Sequence, residues 1–373
     1  MRKDFLNILA KVSKKIHIQK FVYFLCKYFV PVSPLGKIDD AEAYLRTFYP
    51  EKQKSCLCNN MINSVPEYDV RIIIPVYNAE KYLDECIQSV IHQKTHYSYQ
   101  AFFVNDGSSD QSLTILEKYT GYPYISIITT TNGGVSAARN TALKHINSRY
   151  VMFLDADDYL AEDAIEKMLS KADETGADIV EGNHILFEGE KILSTSSHRD
   201  AEGADLQMHG VVWGKVYKAH IWKDISFPLD YWYEDTLDWL LIYQIPLKKV
   251  TIKDVIYYYR ATPTGYSMGH STAKRRIETY WVTKQLLHDA QDLHLPLTTF
   301  FYETYLRQCS LNTRRVAMLG NRKVDYALFK AQQALLEKYF ATFQTQGEKE
   351  KRIESALLNN DFKEYFLYCL FLY

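Results

Sequence analysis

Tyr150-Val151-Met152-Phe153-Leu154-Asp155-Ala156-Asp157-Asp158 is an unbroken apolar run that ends in a cluster of carboxylates. A short run of this kind, bounded by polar residues, reads as a buried strand. Working back along the chain, Val70 to Val76 carries Ile72-Ile73-Ile74 and reads the same way. Tyr99 to Val104 and Ile125 to Thr129 are further strands. Between them the period changes to helical. Glu80 to Gln93 places Leu83, Cys86, Ile87 and Val90 on one side, and Leu113 to Tyr119 and Val135 to Ile146 are helices as well. Strands and helices that alternate at this spacing predict an α/β fold: a mainly parallel sheet with helices on both faces. Ligands of such sheets sit beyond the carboxyl ends of the strands. Those ends carry Tyr77-Asn78, Asn105-Asp106-Gly107 and Asp155-Ala156-Asp157-Asp158, which locates a candidate site.

The flanks differ from this centre. Phe5, Ile8, Leu9, Val12, Ile16, Phe21, Phe24, Leu25 and Tyr28 recur at helical spacing, among seven Lys and Arg residues and the single acid Asp4. Such a basic amphipathic helix suits an anionic membrane surface, and equally a helix packed on the protein's own body. Pro31 and Pro34 end it. After residue 270, Arg275 to Asp292, Phe300 to Met318 and Val324 to Phe343 read as long helices. The apolar segment Tyr365 to Tyr373 is a packing element, a homodimer contact or a membrane contact. The organisation expected is therefore 1–68 helical extension and linker, 69–270 catalytic domain, and 271–373 helical region.

The chain of 373 residues has 44 basic and 45 acidic residues, a balance that gives no field for nucleic acid. Its six cysteines do not have zinc spacing and read as reduced thiols. No apolar run reaches the ~20 residues of a membrane span. A cleavable signal pattern is not evident either, so the site is expected to face the cytosol, peripheral at most on the inner membrane face.

Each strand end has a chemical reading and a plainer one. Carboxylates two residues apart, as in Asp155-Ala156-Asp157, can hold a hard divalent cation through oxygen, or simply cap a turn. Asp106 can accept a hydrogen bond from a base N–H, or belong to an ordinary strand-to-helix loop capped by Asp110. In Asn132-Gly133-Gly134 the small residues let a ligand approach the backbone, and Arg139 lies about two turns into the following helix, within reach of a phosphate or on the surface. Tyr233-Glu234-Asp235, set among Tyr231, Trp232 and Trp239, supplies a partly desolvated carboxylate suited to general-base work, or a favourable acid pair at a helix start.

In order and spacing these segments resemble glycosyltransferase family 2, inverting enzymes of the nucleotide-diphospho-sugar transferase (GT-A) fold. The resemblance rests on Ile74-Pro75-Val76-Tyr77-Asn78-Ala79-Glu80, Val104 to Asp110, Gly133 to Asn140, Phe153 to Asp158, Trp213-Gly214-Lys215-Val216-Tyr217 and Tyr233-Glu234-Asp235, and covers residues 70 to about 270. It implies Pro75, Val76 and Tyr77 at the nucleoside, Asp106 on uracil, and Asn132 and Arg139 on base or phosphate. Asp155 and Ala156 would meet the donor, and Asp157, with Asp155, the metal, Mn2+ or Mg2+. His270 is a further metal candidate. Asp235 would be the base with Glu234 beside it, and Trp213 and Lys215 would shape the acceptor side. The implied reaction moves a hexose from a nucleotide sugar, UDP-linked, to a glycan or lipid-linked acceptor in cell-surface polysaccharide or glycoconjugate synthesis. Rival readings are a nucleotidyltransferase, which has no use for Glu234-Asp235, and a non-catalytic binding protein, which would not need Asp157 and Asp235. A membrane-spanning polysaccharide synthase is disfavoured because no spanning helices follow the catalytic region.

Overall fold

The computed structural model describes residues 5–32, 39–62, 65–203, 208–262 and 274–373. Strands β1 (Tyr68–Val76), β2 (Tyr99–Asp106), β3 (Ile125–Thr130) and β4 (Ser148–Phe153) are parallel and lie in the order β3-β2-β1-β4. Val76 pairs with Asn105, and Asn105 with Thr129, so the polar strand ends come level at one edge. The sheet continues through β5 (Ile179–Glu188), β6 (Lys215–Lys218) and β7 (Lys249–Arg260). β6 runs antiparallel between β4 and β5, and β7 pairs in parallel with β5. Three short strands complete ten. This is the GT-A architecture.

The unbroken apolar reading of β1 has a direct cause. Ile72 and Ile74 point into one core, Ile73 into the other, and all three are buried. The first core is closed by α4 (Leu83–Ile91) and α7 (Ala164–Thr175). The second lies under α6 (Val135–Leu143) and extends without a break from Leu6 to Phe371. The helices of both terminal regions contribute to this core and cover one face of the sheet.

That cover consists of α1 (Phe5–Lys15), α2 (Gln19–Phe29) and α3 (Ala41–Phe48) from the first part of the chain. The later part adds α9 (Glu278–Asp292), α10 (Thr299–Ala317), α11 (Arg322–Phe340), α12 (Glu350–Leu358) and α13 (Phe362–Phe371). α3 packs on α11, and α1 and α2 pack on α13. Thr298, Asn321 and Asp361 cap α10, α11 and α13 through their side chains, satisfying amides that would otherwise lack partners.

Several expectations change. The single N-terminal helix is two, because the chain turns at His17, whose φ is +57°. The helix expected to reach Ile146 stops at Leu143, and His145–Ile146 pairs in parallel with Met61–Ile62. The segment from Tyr365 is a packing element: Tyr365, Phe366, Leu367, Cys369 and Phe371 are buried. None of the described helices is long and apolar enough to cross a membrane.

Candidate functional site

The strand ends converge through hydrogen bonds between their loops. Asn78 accepts from the Ser109 amide at 2.8 Å and donates its own amide to Ser108 Oγ at 3.1 Å. Asp110 ties the amides of Glu80 (3.0 Å) and Ser112 (2.9 Å), joining two loops rather than capping the helix that starts at Ser112, whose N-cap is Gln111. Gly107 adopts φ +67°, and a Cβ there would lie 2.8 Å from the Asn132 amide nitrogen, so only glycine lets these two loops meet.

Asp106 is buried at this junction. Its two carboxylate oxygens accept from the amides of Gly133 (2.8 Å) and Gly134 (2.7 Å). It therefore acts as a clamp between loops before any base arrives. Asn132 is exposed beside it. The nucleoside trio divides by strand alternation: Pro75 is half-buried and Tyr77 exposed, while Val76 points into the core and offers a ligand no side-chain surface.

Next comes the acidic turn. Asp158 is structural: its oxygens accept from the Tyr257 hydroxyl and the Arg260 amide, both at 2.7 Å, which anchors the turn to β7. Ala156 is buried. Asp157 is half-buried, and burial and then the charge of Asp155 push its pKa up to about 6. Among the described residues no side chain forms a hydrogen bond or ion pair with its carboxylate. A divalent cation would supply the missing counter-charge, and oxygen donors two residues apart suit Mn2+ or Mg2+. The donor set fits the metal. His270 lies outside the described residues.

Arg139 departs most from expectation. It is 3% exposed rather than poised at the surface. Nη2 donates to Asp155 at 2.7 Å and Nη1 to Glu234 at 2.9 Å, with the guanidinium 5.1 Å from the Phe227 ring centroid. Both carboxylates raise its pKa against the opposing effect of burial. The residue expected to bind phosphate instead joins the two acid pairs, about 80 residues apart in sequence, across one guanidinium.

Glu234-Asp235 precedes α8 (Thr236–Leu240), immediately after Tyr233 with φ +67°. Burial and then Glu234 push Asp235 up to about 6, opposed by Arg315 and Arg139. Asp235 opens into a cavity of about 380 Å³ lined by aromatic and histidine rings, among them His184, Trp213, Trp239 and Tyr259, and by Arg315. Trp213 stacks on Tyr257 at 4.4 Å. Lys215 does not reach the cavity. It is fully buried, its ammonium lies 3.1 Å from Glu181, and it also donates to the Val211 carbonyl. Its contacts are structural, and Trp213 alone of that pair lines the cavity.

Sequence reading missed Arg260 and Arg315. Arg260 donates Nε to the Asp157 carbonyl at 2.9 Å and lies 4.5 Å from the Tyr82 ring centroid. Arg315, on α10, lies 3.8 Å from the centroid of Tyr233 and donates to Thr279 Oγ1 at 3.0 Å. Nothing local marks either. A basic residue within an apolar helical face is the only signal available for Arg315.

Sheet order and level strand ends define the GT-A fold, with an acidic turn at the end of β4 and an acid pair before α8. Residues 71–224 match the family model "Glycosyl transferase family 2". It is 31% identical over 211 residues to the glycosyltransferase GlyA of Streptococcus pneumoniae, covering 51% of this chain and 30% of that protein. It is 29% identical over 210 residues to the poly(ribitol-phosphate) β-glucosyltransferase of Bacillus spizizenii, covering 53% and 33%. The chain spans about a third of the length of these relatives. A solved structure of Staphylococcus aureus TarS residues 1–349 with UDP-GlcNAc superimposes with a TM-score of 0.59 at 20% identity, over 80% of this chain and 89% of that one.

Proposed function

We propose that this protein is an inverting, metal-dependent hexosyltransferase acting in the cytosol. It would move a sugar from a UDP-linked donor to a hydroxyl of a glycan or lipid-linked acceptor in cell-surface polysaccharide or glycoconjugate synthesis. The observation that carries the reading is the Arg139 bridge. It brings the acidic turn at Asp155 next to Glu234-Asp235, where Asp235 faces an aromatic cavity. The relatives' printed activities support a surface-polymer product, and the UDP-GlcNAc complex of the TarS structure supports a UDP-linked donor.

Asp157 and Asp155 would hold the divalent cation. When bound, that cation neutralises the diphosphate and makes it a better leaving group. Pro75, Tyr77 and Asn132 would receive the nucleoside. Trp213, Trp239 and Tyr259 offer flat apolar faces to an acceptor sugar and exclude water from it. Asp235 takes the proton of the acceptor hydroxyl as its oxygen bonds to the anomeric carbon. The bond from that carbon to the diphosphate oxygen breaks, and UDP departs. A single in-line displacement inverts the anomeric configuration. A base with pKa about 6 is ionised at neutral pH yet retains more proton affinity than an ordinary aspartate. The reading also includes peripheral contact of residues 1–30 with the inner face of the cell membrane, where lipid-linked acceptors are presented.

The test is a panel of nucleotide sugars, scored by thermal protection and by UDP release with acceptor present, with and without chelator. Protection by a UDP-sugar, and turnover that chelator abolishes, is the expected result. Full turnover in excess chelator would remove the metal from the mechanism, and no response to any nucleotide sugar would sink the transferase reading.

A further inference from the structure

The N-terminal hairpin has two faces with different fates. Leu6, Ala10 and Ser13 of α1 and Val22, Tyr23 and Cys26 of α2 are buried. The hairpin is also pinned by polar contacts: Tyr23 Oη donates to Glu364 at 2.6 Å, and Asn7 Nδ2 to the Ala317 carbonyl at 2.6 Å. It is therefore mounted on α13 and the end of α10.

The outer face is apolar as well. On α1, Phe5, Ile8 and Val12 are exposed at helical spacing, and Ile16 is exposed in the turn that follows. On α2, Phe21, Phe24, Leu25 and Tyr28 repeat the pattern, and Phe29, at its end, is 77% exposed. Ten of the twenty exposed large hydrophobic residues among those described fall between Phe5 and Phe29. Isolated apolar residues at a surface need no explanation, but a concentration of this kind marks a contact surface.

Charge chooses the partner. From Phe5 to Phe29 there are five lysines and no Asp or Glu. Lys27 is paired with Glu364 at 2.8 Å, while Lys11, Lys15 and Lys20 are exposed around the apolar stripe. A second copy seated on this face by two-fold symmetry would set lysines against lysines. A bilayer with anionic headgroups accepts both features: the rings enter the boundary layer and the ammonium groups meet phosphate.

We infer that α1 and α2 form a preassembled, two-helix docking platform that lies flat on an anionic membrane and, through its mounting on α13, fixes how the enzyme faces it. This deepens the peripheral contact proposed above and does not depend on the glycosyl-transfer chemistry.

The experiment uses the full chain with phosphatidylcholine vesicles, plain or containing phosphatidylglycerol, in flotation at low and high salt without any sugar nucleotide. Binding should require the anionic lipid and weaken with salt. Phe21→Ser/Phe24→Ser/Phe29→Ser leaves the inner face intact, and should keep the melting temperature while lowering vesicle affinity by at least about tenfold. Lys11→Gln/Lys15→Gln/Lys20→Gln should lower it by about a hundredfold on anionic vesicles, at roughly fivefold per lysine. Equal binding to plain and anionic vesicles, or unchanged binding by either variant, overturns the inference. So does a dimer in sedimentation that the serine variant dissociates while wild type ignores vesicles, which would assign the face to a second copy. UDP-sugar turnover on a soluble acceptor should be unchanged in both variants, so loss of docking and failure of the transferase reading are read separately.

Discussion

Replacing Arg139 by Met tests the bridge at the centre of the site. Met fills most of the buried volume and removes the charge. The change deletes two charge-assisted hydrogen bonds, each worth about 1.5–3 kcal/mol net. It also deletes the contact with Phe227, worth about 1 kcal/mol. Against this, Arg139 is no longer desolvated. The carboxylates left behind are not sealed in, since Asp155 is 28% and Glu234 18% exposed and both can recruit water. The full penalty of about 3–5 kcal/mol for breaking a buried pair is therefore too large, and about 3 kcal/mol is expected. For cooperative unfolding of a chain this long, that is a fall of about 4 °C in Tm by calorimetry. The same variant carries a second readout. Arg139 is one of the two cations that hold the Asp235 pKa down, so its loss should move the acid limb of the kcat/KM profile to higher pH. A Tm within 1 °C of wild type, by a criterion of about 1 kcal/mol, together with an unmoved acid limb, would refute the bridging role.

Asp235→Asn should retain donor affinity in a binding assay and lose about 10²–10⁴-fold in kcat, with Glu234→Gln milder; near-normal turnover, or a product with the donor's anomeric configuration by NMR, contradicts the base assignment. In wild type the ionised form of Asp235 is the active one, so kcat/KM should be lost as pH falls through about 6, and an acid limb at the ordinary carboxylate value would show that another group limits the rate. Lys215→Met should destabilise the fold by about 1.5–3 kcal/mol in denaturant titration, because it removes the ammonium from the buried Glu181 carboxylate and leaves it only the His198 and His209 contacts; a small change in stability with a large rise in acceptor KM would instead return Lys215 to the acceptor side.

The donor half of the molecule was legible because its signals are local. Ile72-Ile73-Ile74 states that a strand is covered on both faces, and each polar strand end follows its strand directly. β5 and β7 gave no comparable signal. Gly182, Asn183 and His184 interrupt β5, and Lys249, Lys253 and Asp254 interrupt β7, yet both are held by pairing with each other. Pairing between strands about 70 residues apart has no local signature. For the same reason Arg139 read as a phosphate contact or a surface charge: both its partners are carboxylates, and one lies 95 positions away. The N-terminal period was read correctly as amphipathic, but one break at His17 decides between a long helix and a hairpin, and a single positive φ at a histidine is not visible in hydrophobic spacing. His270, the tentative third metal ligand, stays with the undescribed residues, and the turn at Asp155–Asp157 carries the cation fit without it.

The cavity at Asp235 draws its lining from both sides of a boundary in the chain, with His184 and Trp213 before residue 224 and four further residues after it. The loops that end β1 to β4 fall within residues 71–224, the stretch that the family model matches. Asp235, Trp239, Tyr259 and Arg315 all lie beyond it, and Arg315 is contributed by a helix of the C-terminal cover. On the proposed reading the two halves of the reaction are unevenly shared: the matched stretch carries the handling of an activated sugar and part of the acceptor cavity, and the residues beyond it complete that cavity. A lineage could then exchange the helical cover and α8 for another set and acquire a new acceptor while still drawing on the same cellular pool of activated sugar. Arg139 limits that freedom, because any replacement must still offer it a carboxylate at the position of Glu234.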